Sequence, residues 1–373
     1  MPEIEYTTNK AVYHVDKIAD LQAGRMIAPT EIQLDLEAFC NDNCSFCSYR
    51  KEDGYNNEML KLIKAEPGEQ YHDNKPTGKP SIESRIPDDV VLRIPEMMVE
   101  AGIMAVEITG GGEPTMHPKL DELLDLLGKA NREIGLVTNG SLLSDKRIDL
   151  IVKNCLWVRI SMDSASPITH KRIHRTPGFS FDDRIEKIKK LAKYKDESLT
   201  LGISFIITPE NIFEVEDAAL LYAGIDGINH LRFSWMYDKQ GTAGLTLDQI
   251  DEVKILLDTL KEKYDRDDFF IAYEKNRIAH YSAPNKFDKC YFQKFVWAIG
   301  ADSNVYPCCI MKYHPKFANG NIKDSTLQEI IQNQDTLAKQ NDVDPTQCFP
   351  CWLRERNGQI AGAVEQPKHH NFI

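Results

Sequence analysis

The chain has 373 residues, 42% hydrophobic and 27% charged, with a formal net charge of −12. This is a globular composition, long enough for two or three units or one extended α/β barrel, and its acidity argues against general binding of nucleic acid through the phosphate backbone. No apolar run reaches the ~18 residues of a spanning helix, and Met1-Pro2-Glu3-Ile4-Glu5 has neither the basic start nor the apolar core of a secretory signal, so a soluble cytoplasmic protein is expected.

In chain order, residues 1–30 read as a short extension. Glu31–Leu36 alternates apolar and polar residues and predicts a strand. Cys40, Cys44 and Cys47 follow at once, in the spacing C-x3-C-x2-C. Three thiols on a loop leaving a strand converge on one point, and soft thiolates select zinc, copper(I) or iron–sulfur clusters. A closed zinc site takes four protein ligands, as does an ordinary [4Fe–4S] cluster, so three leave one position open for a small molecule. Residues 51–87 are polar and rich in Lys, Pro and Gly, and read either as a disordered insertion or as a lid over a substrate site.

From residue 88 the chain alternates helices and strands. Helices are predicted at Asp88–Ala101, Lys119–Ala130, Asp145–Lys153, Phe181–Lys193 and Ile212–Tyr222, and strands at Met104–Thr109, Glu133–Thr138, Leu156–Ser161, Leu201–Ile207 and His230–Trp235. Ser144 is a candidate N-cap. The alternation implies a parallel sheet with crossover helices and an α/β barrel over residues 31–236. In such barrels the chemistry sits at the C-terminal ends of the strands, where the cysteine loop falls. So does Gly110-Gly111-Gly112-Glu113-Pro114, after the second strand. Its glycines permit positive φ or close approach to a ligand, or a plain tight turn.

Residues 237–285 hold one strong helix, Thr246–Asp265, opened by a Thr-x-x-Gln capping box. Residues 286–373 form a C-terminal unit: a hairpin around Asp302-Ser303-Asn304, a helix over Thr326–Lys339, and Cys348-Phe349-Pro350-Cys351. With Cys290 and Cys308 the trailing pair makes four thiols for zinc or a cluster, and Cys309 competes with Cys308. Cys155 reads as a buried bystander.

The C-x3-C-x2-C run and the Gly-Gly-Glu-Pro sequence after the next strand together resemble the radical S-adenosylmethionine (SAM) superfamily. The C-terminal hairpin, the segment Ala318-Asn319-Gly320-Asn321-Ile322, the helix and the final Cys-x-x-Cys-Trp resemble the SPASM and shorter twitch extensions of that superfamily, with a BtrN-like cysteine arrangement. The resemblance implies a partial (β/α)6 TIM-like barrel and a small C-terminal hairpin-plus-helix domain. It implies a SAM-binding [4Fe–4S] cluster on Cys40, Cys44 and Cys47, and an auxiliary [4Fe–4S] cluster on Cys290, Cys308, Cys348 and Cys351. The SAM contacts carried over are Phe46, Gly110, Gly111, Gly112, Glu113, Pro114, Asn139, Ser161 and Asp163. Arg172, His174 and Arg175 are candidate partners of the SAM carboxylate, and His117 reads as a loop residue.

The implied chemistry is reductive cleavage of SAM to a 5′-deoxyadenosyl radical, removal of a substrate hydrogen atom, and oxidation of the substrate radical through the auxiliary cluster. That makes an iron–sulfur oxidoreductase fed by an external one-electron donor such as flavodoxin or ferredoxin. Dehydrogenation of a sugar- or cyclitol-like small molecule is the first expectation, and peptide crosslinking or epimerisation the second. A non-catalytic zinc-binding interaction protein is the rival from another class, against which the glycine motif speaks. The catalytic base and the substrate are not written in the motifs.

Overall fold

The computed structural model describes residues 10–49, 85–176, 178–237, 242–275, 277–280, 285–348 and 351–365. Most of the polar 51–87 insertion, and with it the choice between lid and disorder, lies outside them.

Among the described residues ten strands form one sheet, in the order β10-β9-β8-β1-β2-β3-β4-β5-β6-β7. The six predicted strands are present as β1 (Glu31–Asp35), β2 (Ala105–Thr109), β3 (Glu133–Thr138), β4 (Trp157–Ser161), β5 (Thr200–Ile207) and β6 (His230–Trp235). All run parallel, with helices as crossovers, which is the TIM-like α/β arrangement. Two further parallel strands extend it: β7 (Phe270–Tyr273) beside β6, and β8 (Val296–Ile299) beside β1. The C-terminal hairpin, β8 with β9 (Asn304–Tyr306), therefore continues the barrel sheet. β10 (Gly320–Asn321) pairs antiparallel with β9.

Local rules account for the helices. Ser144 accepts from Arg147 N and caps Asp145–Asn154; Ser180, Thr246 and Thr326 make full capping boxes for Phe181–Tyr194, Leu247–Tyr264 and Leu327–Gln332. Leu120, Leu123, Leu124 and Leu127 repeat at helical spacing on Leu120–Lys129 and are buried. Each contributes about 1.5–3 kcal/mol by leaving water. Two helices depart from expectation. The C-terminal one breaks at Asn333, whose side chain caps a second helix, Gln334–Asn341. The segment at Ile212 opens as a 3-10 turn and becomes helical at Val215–Ala223.

Alternation along the strands sorts the side chains. Val158 and Ile160 of β4 face the helices and are buried in the main apolar core, while Trp157, Arg159 and Ser161 turn inward. Arg159 reaches Glu107 of β2 across the intervening β3 at 3.8 Å, and Gln33 Nε2 donates to Glu107 at 3.3 Å. Gly135 makes this possible: a Cβ there would lie 2.1 Å from the Trp157 ring, which covers that part of β3. The barrel interior is thus polar, with its apolar core outside the sheet.

Candidate active site

The cysteine loop is docked rather than loose. Asn43 N and Ser45 N donate to the backbone oxygens of His174 and Ile173, at the end of the helix Pro167–His174. Cys47 N donates to Cys44 O across a turn that holds the half-buried Phe46. Asp42, inside the first cysteine interval, is the anchor. Arg184 donates to its two oxygens at 2.9 and 2.5 Å, His174 Nδ1 lies 3.0 Å from Oδ2, and Thr176 donates to Oδ1. Burial alone would raise the Asp42 carboxyl, but hydrogen bonds and charge from His174 and Arg184 outweigh it and hold it well below the usual carboxylate range.

The glycine motif closes on the same loop. Gly112 N donates to Glu37 O and Glu113 N to Phe39 O. A Cβ on Gly112 would sit 2.1 Å from Phe39 O, so only glycine permits that approach. Buried Glu113 accepts from Thr115 N (3.0 Å), Thr115 Oγ1 (2.5 Å), Thr138 Oγ1 (2.6 Å) and Asn139 N (2.8 Å). Its carboxylate ties the turn beginning at Pro114 to the end of β3. Asn139 Nδ2 donates to Asn41 Oδ1 at 2.8 Å and lies 4.0 Å from Cys40 Sγ, while its Oδ1 accepts from Ser141 N.

At the end of β4, Ser161 stands level with Ser204 of β5, on the inward face. Asp163 has positive φ and is buried; its Oδ1 accepts from Ile206 N at 2.7 Å, and its Oδ2 lies 3.4 Å from His174 Nε2. Burial raises its carboxyl to about 6. Of the three basic candidates only His174 turns to the cysteines, with Nδ1 3.4 Å from Cys44 Sγ. Arg172 donates to Glu210 O, and Arg175 caps the helix end from an exposed position. His117 is a loop residue: it bonds Ile86 O through Nε2 and accepts from Lys119 N.

Cys40, Cys44, Cys47, the Gly110–Pro114 turn and Asn139 are therefore assembled at the ends of β1, β2 and β3. Burial, then the negative charge of Asp42, Cys40 and Cys47, raises the Cys44 thiol well above its ordinary value. Such crowding disfavours free thiolates and suits binding to a cationic centre, which deprotonates its ligands. The donor set fits an iron–sulfur cluster with one iron left open.

The second set behaves alike. Burial raises Cys308 well above its ordinary value, with added repulsion from Cys309, Cys290 and Cys351; Cys348 and Cys351 are pushed up to about 12, each with Cys290 as a neighbouring charge. Cys309 is raised to about 11 by burial, with Lys312, Glu107, Asp35 and Arg277 among its charged neighbours. Both members of the adjacent pair lie near the other auxiliary thiols: Cys290 and Cys351 act on Cys308, while Cys309 acts on Cys351 and packs in one cluster with Cys290 and Cys351. Cys155 is buried, with burial alone raising it to about 12.

A radical SAM superfamily model matches residues 37–222, and an iron–sulfur cluster-binding SPASM domain model matches residues 290–352. The chain belongs to the radical SAM superfamily. SAM and iron–sulfur clusters are the cofactors of this architecture. The chain is 25% identical over 249 residues to the subtilosin biosynthesis protein AlbA of Bacillus subtilis, covering 64% of this chain and 51% of AlbA. It is 26% identical over 197 residues to an S-adenosylmethionine-dependent nucleotide dehydratase of Flammeovirga pacifica, covering 52% of this chain and 59% of that protein. The chain thus spans between half and three-fifths of the length of these two relatives. The structure of Streptococcus suis SuiB bound to its precursor peptide SuiA superposes with a TM-score of 0.62 at 14% identity, over 87% of this chain and 70% of SuiB, which shows a shared fold. No helix among the described residues is long and apolar enough to cross a membrane.

Sequence reasoning missed the residues that hold the loop. Asp42, Thr176 and Arg184 carry no motif. Equally silent is the set of buried Lys312, Asp35 and Tyr313 with half-buried Tyr49. Lys312 Nζ donates to Asp35 Oδ2 at 2.6 Å and to Tyr49 Oη at 3.1 Å, and Tyr313 donates to Asp35 Oδ2 at 2.8 Å. This set joins the auxiliary domain to β1 and to the cysteine loop.

Proposed function

We propose that this protein is a radical SAM oxidoreductase that acts on a polar small molecule held in the barrel interior. When bound, the cluster on Cys40, Cys44 and Cys47 and its SAM supply a 5′-deoxyadenosyl radical that removes a hydrogen atom from an unactivated C–H bond. The residues of this chain bind, orient and shield the reactants. Phe46, Gly110–Pro114, Asn139, Ser161 and Asp163 frame the SAM position, with His174 beside Cys44. Cys290, Cys308, Cys348 and Cys351 hold an auxiliary [4Fe–4S] cluster that accepts the electron of the substrate radical. An external one-electron donor starts the cycle.

The observation that carries this reading is that the auxiliary domain is tied to the strand that feeds the cysteine loop. Asp35, at the end of that strand, is bonded to Lys312 of the auxiliary domain, and Cys309 of that domain has Glu107, Asp35 and Arg277 among its charged neighbours. A substrate between the two cysteine groups stands next to both centres.

The test is iron and acid-labile sulfide per chain after anaerobic preparation, with 5′-deoxyadenosine formation from SAM. Wild type should hold about eight irons, and a Cys40/Cys44/Cys47→Ala triple variant about four and no cleavage activity. Zinc in place of iron at both sites would overturn the reading. A second reading, modification of a peptide, is supported by the likeness to SuiB in complex with a precursor peptide. Dehydrogenation of small polyols against modification of a co-encoded peptide, followed by mass spectrometry, separates the two.

A further inference from the structure

The chain carries 57 acidic and 45 basic side chains, yet residues 165–195 reverse the balance, with nine Lys or Arg against three Asp or Glu. This stretch forms the helices Pro167–His174 and Phe181–Tyr194, which pack against each other. Their inner faces hold the cysteine loop. His174 Nδ1 lies 3.4 Å from Cys44 Sγ, the backbone oxygens of Ile173 and His174 accept from Ser45 N and Asn43 N, and Arg184 grips Asp42. The basic surface therefore backs onto the centre that must receive an electron.

On the shorter helix, Ile168, Lys171, Arg172 and Arg175 recur at the three- and four-residue spacing of one face, and all four are exposed. Ile168 is 79% exposed, more than any other large apolar side chain among the described residues. Exposed Phe213 lies alongside, its ring centroid 5.4 Å from the Arg172 guanidinium. Among the described residues no carboxylate pairs with these three cations: Arg172 donates to Glu210 O and Thr169 Oγ1, and Arg175 to Arg172 O. On the longer helix Lys189 and Lys190 are paired with Glu186 and Asp145, so the charge least offset by carboxylates lies on the shorter one. An apolar centre ringed by cations, on a protein acidic elsewhere, complements an acidic partner: the field steers the encounter and the apolar contact closes it. Electron-transfer encounters use small interfaces, below about 1,200 Å² in total, which one helix face can supply. An α-helix with its side chains is about 10–12 Å across, so a carrier on this outer face stands about one helix diameter from Cys44, with His174 in the path. Electron tunnelling through packed protein needs such an approach.

We propose that the outer face of the helix Pro167–His174, with Ile168 and Phe213 at its centre and Lys171, Arg172 and Arg175 around them, is the docking surface for the external electron donor, a small acidic carrier protein of the flavodoxin or ferredoxin kind. The carrier loses one electron and the cluster on Cys40, Cys44 and Cys47 gains it; no bond forms or breaks in that step. This rests on the radical reading above and specifies where its electron enters.

The test mixes anaerobically prepared holoenzyme and SAM with fully reduced flavodoxin, and in parallel with reduced ferredoxin, and follows reduction of the cluster by its EPR signal after rapid freezing. Reduction that saturates with carrier concentration and slows with added salt is expected for at least one carrier. Lys171→Glu/Arg172→Glu should slow it about tenfold or more at low salt. Lys263→Glu/Lys275→Glu makes the same change in net charge elsewhere and should leave it unchanged. Dithionite, a small reductant that needs no docking, should drive 5′-deoxyadenosine formation equally in wild type and both variants. Should the double reversal fail to hold iron, the neutral Lys171→Met/Arg172→Met variant decides, with slowing of about threefold or more expected. The proposal is overturned by any of five results: no saturable reduction by either carrier, wild-type rates in the variants at Lys171 and Arg172, equal slowing in the Lys263/Lys275 control, dithionite-driven cleavage falling as far as carrier-driven reduction, or single-stranded RNA binding that is lost in the reversal while the carrier rates stand. Absence of 5′-deoxyadenosine from wild type with dithionite would instead refute the radical reading, and the carrier-driven rates would still judge this surface.

Discussion

Replacing Arg184 with methionine tests the account of how the cysteine loop is held. Arg184 is fully buried on the helix Phe181–Tyr194. It donates to both oxygens of Asp42, to Asn139 O at 2.9 Å and to Thr176 Oγ1 at 3.1 Å. Methionine keeps much of the volume and removes every donor. Asp42 then stays buried without the guanidinium, keeping His174 and Thr176 among its partners, and the Asn139 carbonyl loses a partner. Breaking a buried pair by deleting one member costs about 3–5 kcal/mol, because the other charge stays desolvated. The urea midpoint of the anaerobic protein should fall accordingly. Because Asp42 lies between Cys40 and Cys44, iron per chain should fall by about the content of one cluster. An Asp42→Asn/Arg184→Met double variant removes the stranded charge and should recover at least 1 kcal/mol relative to Arg184→Met. A loss under about 1 kcal/mol in the single variant, with full iron retained, would refute the argument.

Other outcomes follow from the same contacts. Gly112→Ala drives a Cβ into Phe39 O at 2.1 Å and Glu37 O at 2.6 Å; both are backbone atoms, so the loop must shift, and metal analysis should show loss of the Cys40/Cys44/Cys47 cluster with the auxiliary one kept. Both Cys308 and Cys309 neighbour Cys351, so the proposed ligand set is tested at this pair: Cys308→Ser should lose the auxiliary irons while Cys309→Ser keeps them, and the reverse outcome would exchange the assignment. His230 is buried over Gly202 and stacked on Phe270, and burial with the charges of Arg159 and Arg232 holds its imidazole down at about 3. The unfolded chain takes up this proton below pH ~6.5 and the folded chain does not, so stability contributed above that pH is lost as pH falls from about 6.5 toward 3. The slope is about 1.4 kcal/mol per pH unit. His230→Phe should flatten that part of the acid profile in urea melts taken from pH 7 to 4.

The legible parts of this chain are those governed by local rules. The first six strands announce themselves by apolar alternation or short apolar runs between helical stretches, and the caps at Ser144 and Thr246 by residue type and offset. Cysteine spacing is legible because a cluster imposes it on a short loop. The parallel pairing of β8 with β1 is not, because the two strands lie more than 250 residues apart and nothing in Val296–Ile299 distinguishes a hairpin strand from a barrel strand. The helix Pro167–His174 escapes because it is short and polar, carrying Thr, His, Lys and Arg where an amphipathic stripe would be sought. Arg184 reads as a surface residue in a Lys-rich helix, and only its partner 142 positions away reveals why it is buried.

These misses share a cause that bears on how the site works. The pairs Asp42–Arg184 and Asp35–Lys312 are both buried, and both join the loop region to an element distant in sequence. Apolar packing would hold those seams at least as well, since buried ion pairs gain little net stability over apolar replacements of similar volume. Charge adds direction. A carboxylate gripped on two oxygens, or an ammonium shared between Asp35 and Tyr49, admits one arrangement, whereas an apolar contact tolerates sliding. Three thiols that must meet one centre need that constraint, and so does an auxiliary domain whose cysteines must stand at a fixed place beside the barrel interior. The first pair fixes the loop against the helices behind it, and the second fixes the auxiliary domain against the strand that feeds the loop. The two cysteine groups are therefore positioned relative to each other through Asp35 and the short stretch from β1 to Tyr49.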